Sequence, residues 1–258
     1  MFNWKVKKKI DNEKKWEAIK NFKTTQVKNI INDETKYFQN IKKLLNIITD
    51  NNFTNYFEEI YENLNYIKCN YQDKYSIMCE EVYQLLSTNF LYSKSNCEIF
   101  NFLNEKDNIF KSILYSELND FNNIFENLIY ISPDENYEKF CDYNKNNEKR
   151  RSKITFYANL YLINIINDDE IYRICNILFE ITKKNLNIEN KKNEIDELSE
   201  YIYLLITGIY NTLNKNNNIY ANNLFNKVTE YSNYKLKDHK SITNKCIFKH
   251  MDIIDELT

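Results

Sequence analysis

One glycine and one proline in 258 residues constrain this chain more than any other feature. Turn-rich β folds need many glycines for positive φ, and phosphate-cradling α/β folds need them where the backbone approaches a ligand. With only Gly208 and Pro133, neither class is accessible. The chain must be all-α, with Asn, Asp and Ser making its turns. Hydrophobic residues make up 43% of the sequence, enough for a core at this length, so disorder is excluded. Asn, Lys, Ile, Tyr and Phe are the residues of A/T-rich codons, so part of the surface reflects base composition.

Apolar residues recur at spacings of three and four, the period of an amphipathic helix. A helix is predicted from Tyr37 to Ile48, followed by a break at Thr49–Asn52 with Thr49 or Asp50 as N-cap. A second carries Phe53, Phe57, Ile60, Leu64 and Ile67, and a third runs from Tyr71 to Leu86. Further helices are expected over 94–103 and 108–130. Ser132-Pro133 reads as the start of the next, and residues 142–149 as a loose polar link. A long apolar helix, the centre of the reading, is predicted from Arg150 to Asn167. Asp168-Asp169-Glu170 caps its successor, and 183–194 reads as a linker. Helices over 194–213, 219–233 and 240–257 complete about ten, with Gly208 marking close helix packing. Residues 1–30 read as a Lys-rich arm, and 31–258 as one helical domain. Short polar links imply antiparallel neighbours. Repeated over this length, they imply an α-solenoid of about five helix hairpins, with an irregular bundle as the alternative.

Chemistry is sparse. No phosphate loop or zinc-protease motif is present, and neither His239 nor His250 stands near a ligand cluster. Both histidines are expected to be solvated or at helix ends. The six cysteines have no CxxC pair and are expected to be buried, reduced thiols. Carboxylate pairs such as Glu80-Glu81 read as solvated helix faces. No enzyme, metal or cofactor is expected. No apolar run is long enough to span a membrane, and no leader stands at the start, so a cytoplasmic location is expected.

Three features bear on binding. Lys5, Lys7, Lys8 and Lys9 beside Trp4 could contact RNA phosphates or dock in a protein groove. Arg150 and Arg151, two of only three arginines, suit either a protein partner or a strut between helices. The 21 tyrosines read mostly as core and rim residues.

Several segments, in order, resemble the middle domain of eukaryotic translation initiation factor 4 gamma. Leu45 to Phe53 is similar to the motif opening that domain's first hairpin, keeping Leu45, Asn46, Thr49, Asn52 and Phe53, with Asp50 where the family has proline. Arg150-Arg151-Ser152 with Ile154 and Phe156 resembles a later helix, without the glycine that follows there and with Asn159 near its acidic position. Phe110–Phe121, Ile171–Phe179, Glu197–Leu213 and Lys245–Ile254 resemble further helices, so the likeness spans roughly 37–255. It implies a crescent of about five HEAT-type hairpins that binds the DEAD-box RNA helicase of initiation (factor 4A), touches RNA and meets other initiation factors. Asn3-Trp4-Lys5 resembles an upstream aromatic anchor, which implies Trp4 as a helicase contact, with Trp16 as competitor. Phe53, Arg150 and Arg151 are the other implied contacts. A motif for the cap-binding protein is not evident. Alternatives are a related adaptor in splicing or mRNA decay, a lone RNA-binding module, and a structural helical protein without a helicase partner.

Overall fold

In a computed structural model, the structure describes residues 33–49, 51–126 and 128–258. The chain divides into two units, Met1–Lys36 and Tyr37–Thr258, and the described helices lie in the second apart from the first turn of the helix that begins at Asp33. The fold is all-α and solenoid-like: among the described residues there are eleven α-helices and no strand. They are α1 (Asp33–Ile47), α2 (Phe57–Asn70), α3 (Gln72–Ser87), α4 (Ser93–Lys106), α5 (Asn108–Asn119) and α6 (Phe121–Glu126). After these come α7 (Tyr137–Leu162), α8 (Asp168–Leu186), α9 (Lys192–Asn216), α10 (Asn218–Ser232) and α11 (Asn244–Leu257), and a 3-10 turn, Phe53–Tyr56, precedes α2.

Polar side chains end and start these helices where glycine and proline are lacking. Asp107, Asn136, Asn167, Asn217 and Thr243 each accept an N–H of the following first turn. Asn164 and Asn190 take the left-handed conformation that glycine ordinarily supplies, each with φ of 62°. Asn52 ties off α1: its amide donates to the Ile47 carbonyl, and its oxygen accepts from the Thr49 N–H. The expected side-chain N-cap of the next helix is not made by Thr49: Asn52 precedes the 3-10 turn and Tyr56 precedes α2, neither with a side-chain cap bond, and Asp50 lies outside the described residues.

Hydrogen-bond register gives the helix directions. Tyr37 stacks on Tyr66 while Asn40 bonds to Asn63, so α1 and α2 are antiparallel. Further on, Tyr220 bonds to Asp169, Asn223 to Tyr172 and Lys227 to Asn176, each 51 residues apart. A constant separation means that α8 and α10 run parallel and in step. Helices α9 and α11 are parallel too, because Lys245 pairs with Asp196 and Lys249 with Glu200, four residues on along both. Helices α8 and α10, and α9 and α11, are thus paired in step, in keeping with a solenoid-like stack. Between α4 and α7 the sense reverses. Ser93 meets Asn159, and the Cys97 thiol donates to the Phe156 carbonyl, so numbers fall along one helix as they rise along the other.

The core runs through the whole stack. Tyr83, Phe100, Phe110, Phe156 and Tyr157 are fully buried in its middle, each worth roughly 1.5–3 kcal/mol of apolar burial. Gly208 is where sequence placed a close approach: a Cβ there would stand 3.3 Å from the Ala158 Cβ, across the α7–α9 contact.

Several expected boundaries move. Residues 142–149 are helical, not loose, and α7 begins at Tyr137 with Asn136 as its cap, so the Ser132-Pro133 start is displaced. Tyr143 and Asn147 are buried there, and that burial overrides a weak local apolar pattern. The expected helix over 108–130 splits at Asp120 into α5 and α6 and ends at Glu126. Helix α7 stops at Leu162, and Asn167, not Asp168, caps α8. The 183–194 linker shrinks because α8 continues to Leu186 and α9 starts at Lys192. Cys79, Cys97, Cys175 and Cys246 are buried free thiols as expected, but Cys69 and Cys141 are exposed. His250 is fully buried rather than solvated.

Candidate functional site

The long helix α7 organises the polar chemistry. Arg151 sits near its middle and reaches α9, with one terminal nitrogen 2.6 Å from both carboxylate oxygens of Glu197. Arg150, next in sequence, points to the other flank. Its Nε donates to the Ile124 carbonyl of α6 and its Nη1 to Asn147 Oδ1, both at 3.0 Å. The Tyr201 hydroxyl of α9 donates to the same Asn147 oxygen, also at 3.0 Å. Arg173 on α8 repeats the arrangement. It pairs with Glu170 and donates to the Leu118 carbonyl at the end of α5 at 2.7 Å. All three arginines thus tie one helix to another. Two of them use main-chain carbonyls that helix ends leave without intrahelical partners. Glu197 draws the Arg151 guanidinium upward in pKa against the opposing effect of burial.

An open groove of about 780 Å³ lies beside Arg151. Its walls come from the end of α1, the end of α3, the link 88–91, and the middles of α7 and α9. Leu85, Phe90 and Leu91 line it with 37%, 50% and 80% of their surfaces exposed, together with Leu45 and Leu204. Lys42, Lys145, Lys149 and Arg151 stand along it, with Glu148 and Glu200 as its carboxylates. On the far flank of α7, a smaller polar cleft of about 390 Å³ is lined by Gln84, Asn123, Lys149, Arg150 and Lys153 among others. There Lys153 is held by Glu117 at 2.6 Å.

The four buried thiols are shielded from chemistry by burial, which pushes Cys79 up to about 12 and Cys246 up to about 11, and raises Cys97 and Cys175 further. His250 is pushed down to about 4 by burial, with its bond to the Cys246 carbonyl opposing. Its Nδ1 lies 2.8 Å from that oxygen, its Nε2 has no hydrogen-bond partner among the described residues, and its ring stacks on Tyr231. Among the described residues no cluster of His, Cys, Asp and Glu could hold a metal ion, and no helix is long and apolar enough to cross a membrane.

The predicted contact residues fall in different places. Trp4, Lys5, Lys7, Lys8 and Lys9 lie outside the described residues. Phe53 is half-buried in the 3-10 turn, against Phe57, which stacks in turn on Phe102. Arg151 lines the groove and Arg150 the cleft behind it, so the fold does not bring Phe53 and the arginine pair into one site. Sequence reasoning missed the groove itself. Its signal was present: two large apolar residues, Phe90 and Leu91, occur in the link between α3 and α4, where a solvated turn would carry neither. Lys145 was hidden in the stretch read as loose.

The chain matches no protein-family profile and no curated protein sequence.

Proposed function

We propose that the chain is a translation-initiation scaffold, a crescent of HEAT-type hairpins that binds the DEAD-box RNA helicase of initiation. The observation that carries this reading is the ordered set of resembling segments. The Leu45–Phe53 motif lies at the α1–α2 junction, where Asn52 closes the end of α1. The Arg150-Arg151-Ser152 motif lies in α7, the helix joined by side-chain bonds to both α6 and α9. A rigid stack of helices suits the task physically, because it offers two mobile helicase lobes one fixed surface and lowers the cost of bringing them together. In this reading Arg150 and Arg151 hold the platform in shape, Trp4 and Phe53 contact the helicase, and Lys5, Lys7, Lys8 and Lys9 contact RNA. The chain acts as a scaffold rather than as an enzyme, in the cytoplasm.

The test is a pull-down of the purified chain with the initiation helicase, paired with measurement of its RNA-dependent ATPase activity. Micromolar binding with stimulated turnover is expected, and Trp4→Ala weakens binding while the helical signal is unchanged. A folded sample that neither binds nor stimulates refutes the proposal. If a splicing or decay helicase is captured in its place, the related-adaptor function is correct.

A further inference from the structure

We infer that the groove between α1, α3, α7 and α9 is a docking site for a short amphipathic segment of a partner protein, apolar on one face and acidic along one edge. The inference rests on the scaffold reading but does not depend on which helicase is bound.

The first argument is the placement of apolar surface. Leu91 and Phe90 project from a link, where no helical face requires them, and Leu85 follows from the last turn of α3. Together they line a concavity of about 780 Å³, large enough to receive several side chains of an inserted helix face. Apolar side chains converging on one concave surface mark an interaction site, whereas singly scattered ones do not.

Charge selects the occupant. The whole chain carries a formal net charge of -2, yet the groove holds four cations against two carboxylates. Two of these charges are internally satisfied, Arg151 by Glu197 and Glu200 by Lys249. Lys145 and Lys149 are exposed and have no ion pair among the described residues. They stand one helical turn apart on α7, so they match carboxylates spaced by one turn on a helix lying alongside. Lys42 on the opposite wall lies 4.2 Å from the centre of the Phe38 ring and makes an exposed 3.5 Å pair with Glu81, which an incoming carboxylate can replace. Three lysines against the one remaining carboxylate, Glu148, around apolar side chains fit an acidic amphipathic helix better than a basic one. Nucleic acid would use the lysines but leave Leu85, Phe90 and Leu91 unmatched.

The experiment selects peptides from a phage-displayed library of random 12-mers against the intact chain, then measures a selected peptide by fluorescence anisotropy. Enriched sequences are expected to carry two or three large apolar residues at helical spacing, plus at least two carboxylates. Leu91→Glu, at a position too exposed to matter for folding, is expected to weaken the selected peptide at least tenfold. Lys145→Glu with Lys149→Glu is expected to weaken it at least tenfold and to reverse its salt dependence. Circular dichroism and melting temperature of both variants establish that the fold is kept. The inference is overturned if no peptides are enriched, if basic or uncharged ones are, or if binding ignores both variants. It is overturned equally if a uridine 20-mer displaces the peptide in a lysine-dependent but Leu91-independent way. Helicase pull-down with the unaltered chain, beside the peptide titration, separates the two proposals. Peptide binding without any helicase binding leaves the groove standing and removes the helicase, and the converse removes the groove alone.

Discussion

Replacing Arg150 and Arg151 by alanine tests whether these residues are struts. The Arg151–Glu197 contact is a close ion pair whose carboxylate side chain is only 13% exposed, while 36% of the arginine side chain meets solvent. A hydrogen bond to a charged group contributes roughly 1.5–3 kcal/mol, and partial exposure of the arginine reduces this to about 1–2 kcal/mol. Arg150→Ala removes bonds to the Ile124 carbonyl and to Asn147 Oδ1, the latter retaining the Tyr201 hydroxyl, for a further loss of about 1–2 kcal/mol. The two arginines share no partner and reach different helices, so the double variant should lose about 2–4 kcal/mol. At this chain length that lowers the melting temperature by on the order of 10 °C. Urea and thermal denaturation followed by circular dichroism measure it. Glu197→Ala completes a double-mutant cycle, with coupling expected to Arg151 and none to Arg150. A double variant within about 0.5 kcal/mol of the parent, where neutral surface substitutions fall, refutes the strut argument and returns both residues to a binding role.

Three other outcomes are expected of the same structure. His250 is neutral in the fold and pushed down to about 4 from 6.5 by burial, so the unfolded chain binds the extra proton between those values. The stability it supports is complete above pH 6.5 and falls, by roughly 3 kcal/mol, as the pH drops toward 4; His250→Phe should flatten that segment of a stability–pH curve, and an unchanged slope counts against the assignment. Asp107 is held below its ordinary value because Lys68, the Ile109 N–H and Tyr75 together outweigh its desolvation, so its contribution is lost at still lower pH, and Asp107→Asn should remove that acid limb in urea titrations. At Gly208, alanine requires only a few tenths of an ångström from Ala158 and gains helix propensity, so it should lie within about 1 kcal/mol of the parent, whereas Gly208→Leu should destabilise by about 1–3 kcal/mol or more in thermal melts.

Helix class was legible because a chain with a single glycine has few other ways to satisfy its backbone. The periodic segments, such as Ile171 to Ile181, appear where the spacing put them. The close approach at Gly208 was legible for the same reason, since glycine inside a helix costs stability unless something needs the space. Residues 142–149 were not legible. Their polar composition argues for a loop, and only the burial of Tyr143 and Asn147 beneath neighbouring helices explains why they are helical. Of the candidate site, the arginine pair could be found from rarity and position, but not the direction of each side chain. Adjacent residues on a helix point about 100° apart, so Arg150 and Arg151 necessarily serve different neighbours. The groove needed the fold, because its walls come from segments more than 150 residues apart in sequence, from Lys42 to Leu204.

The in-step pairing of α8 with α10, and of α9 with α11, also has a mechanical meaning. Each helix leans on partners about fifty residues away along the chain, as the 51-residue separations record. Even the ring contact of Phe179 with His250, which joins α8 to α11, spans only 71 of the 258 residues. Pulled from its termini, such a chain should yield helix pair by helix pair, as a series of small force steps rather than one rupture.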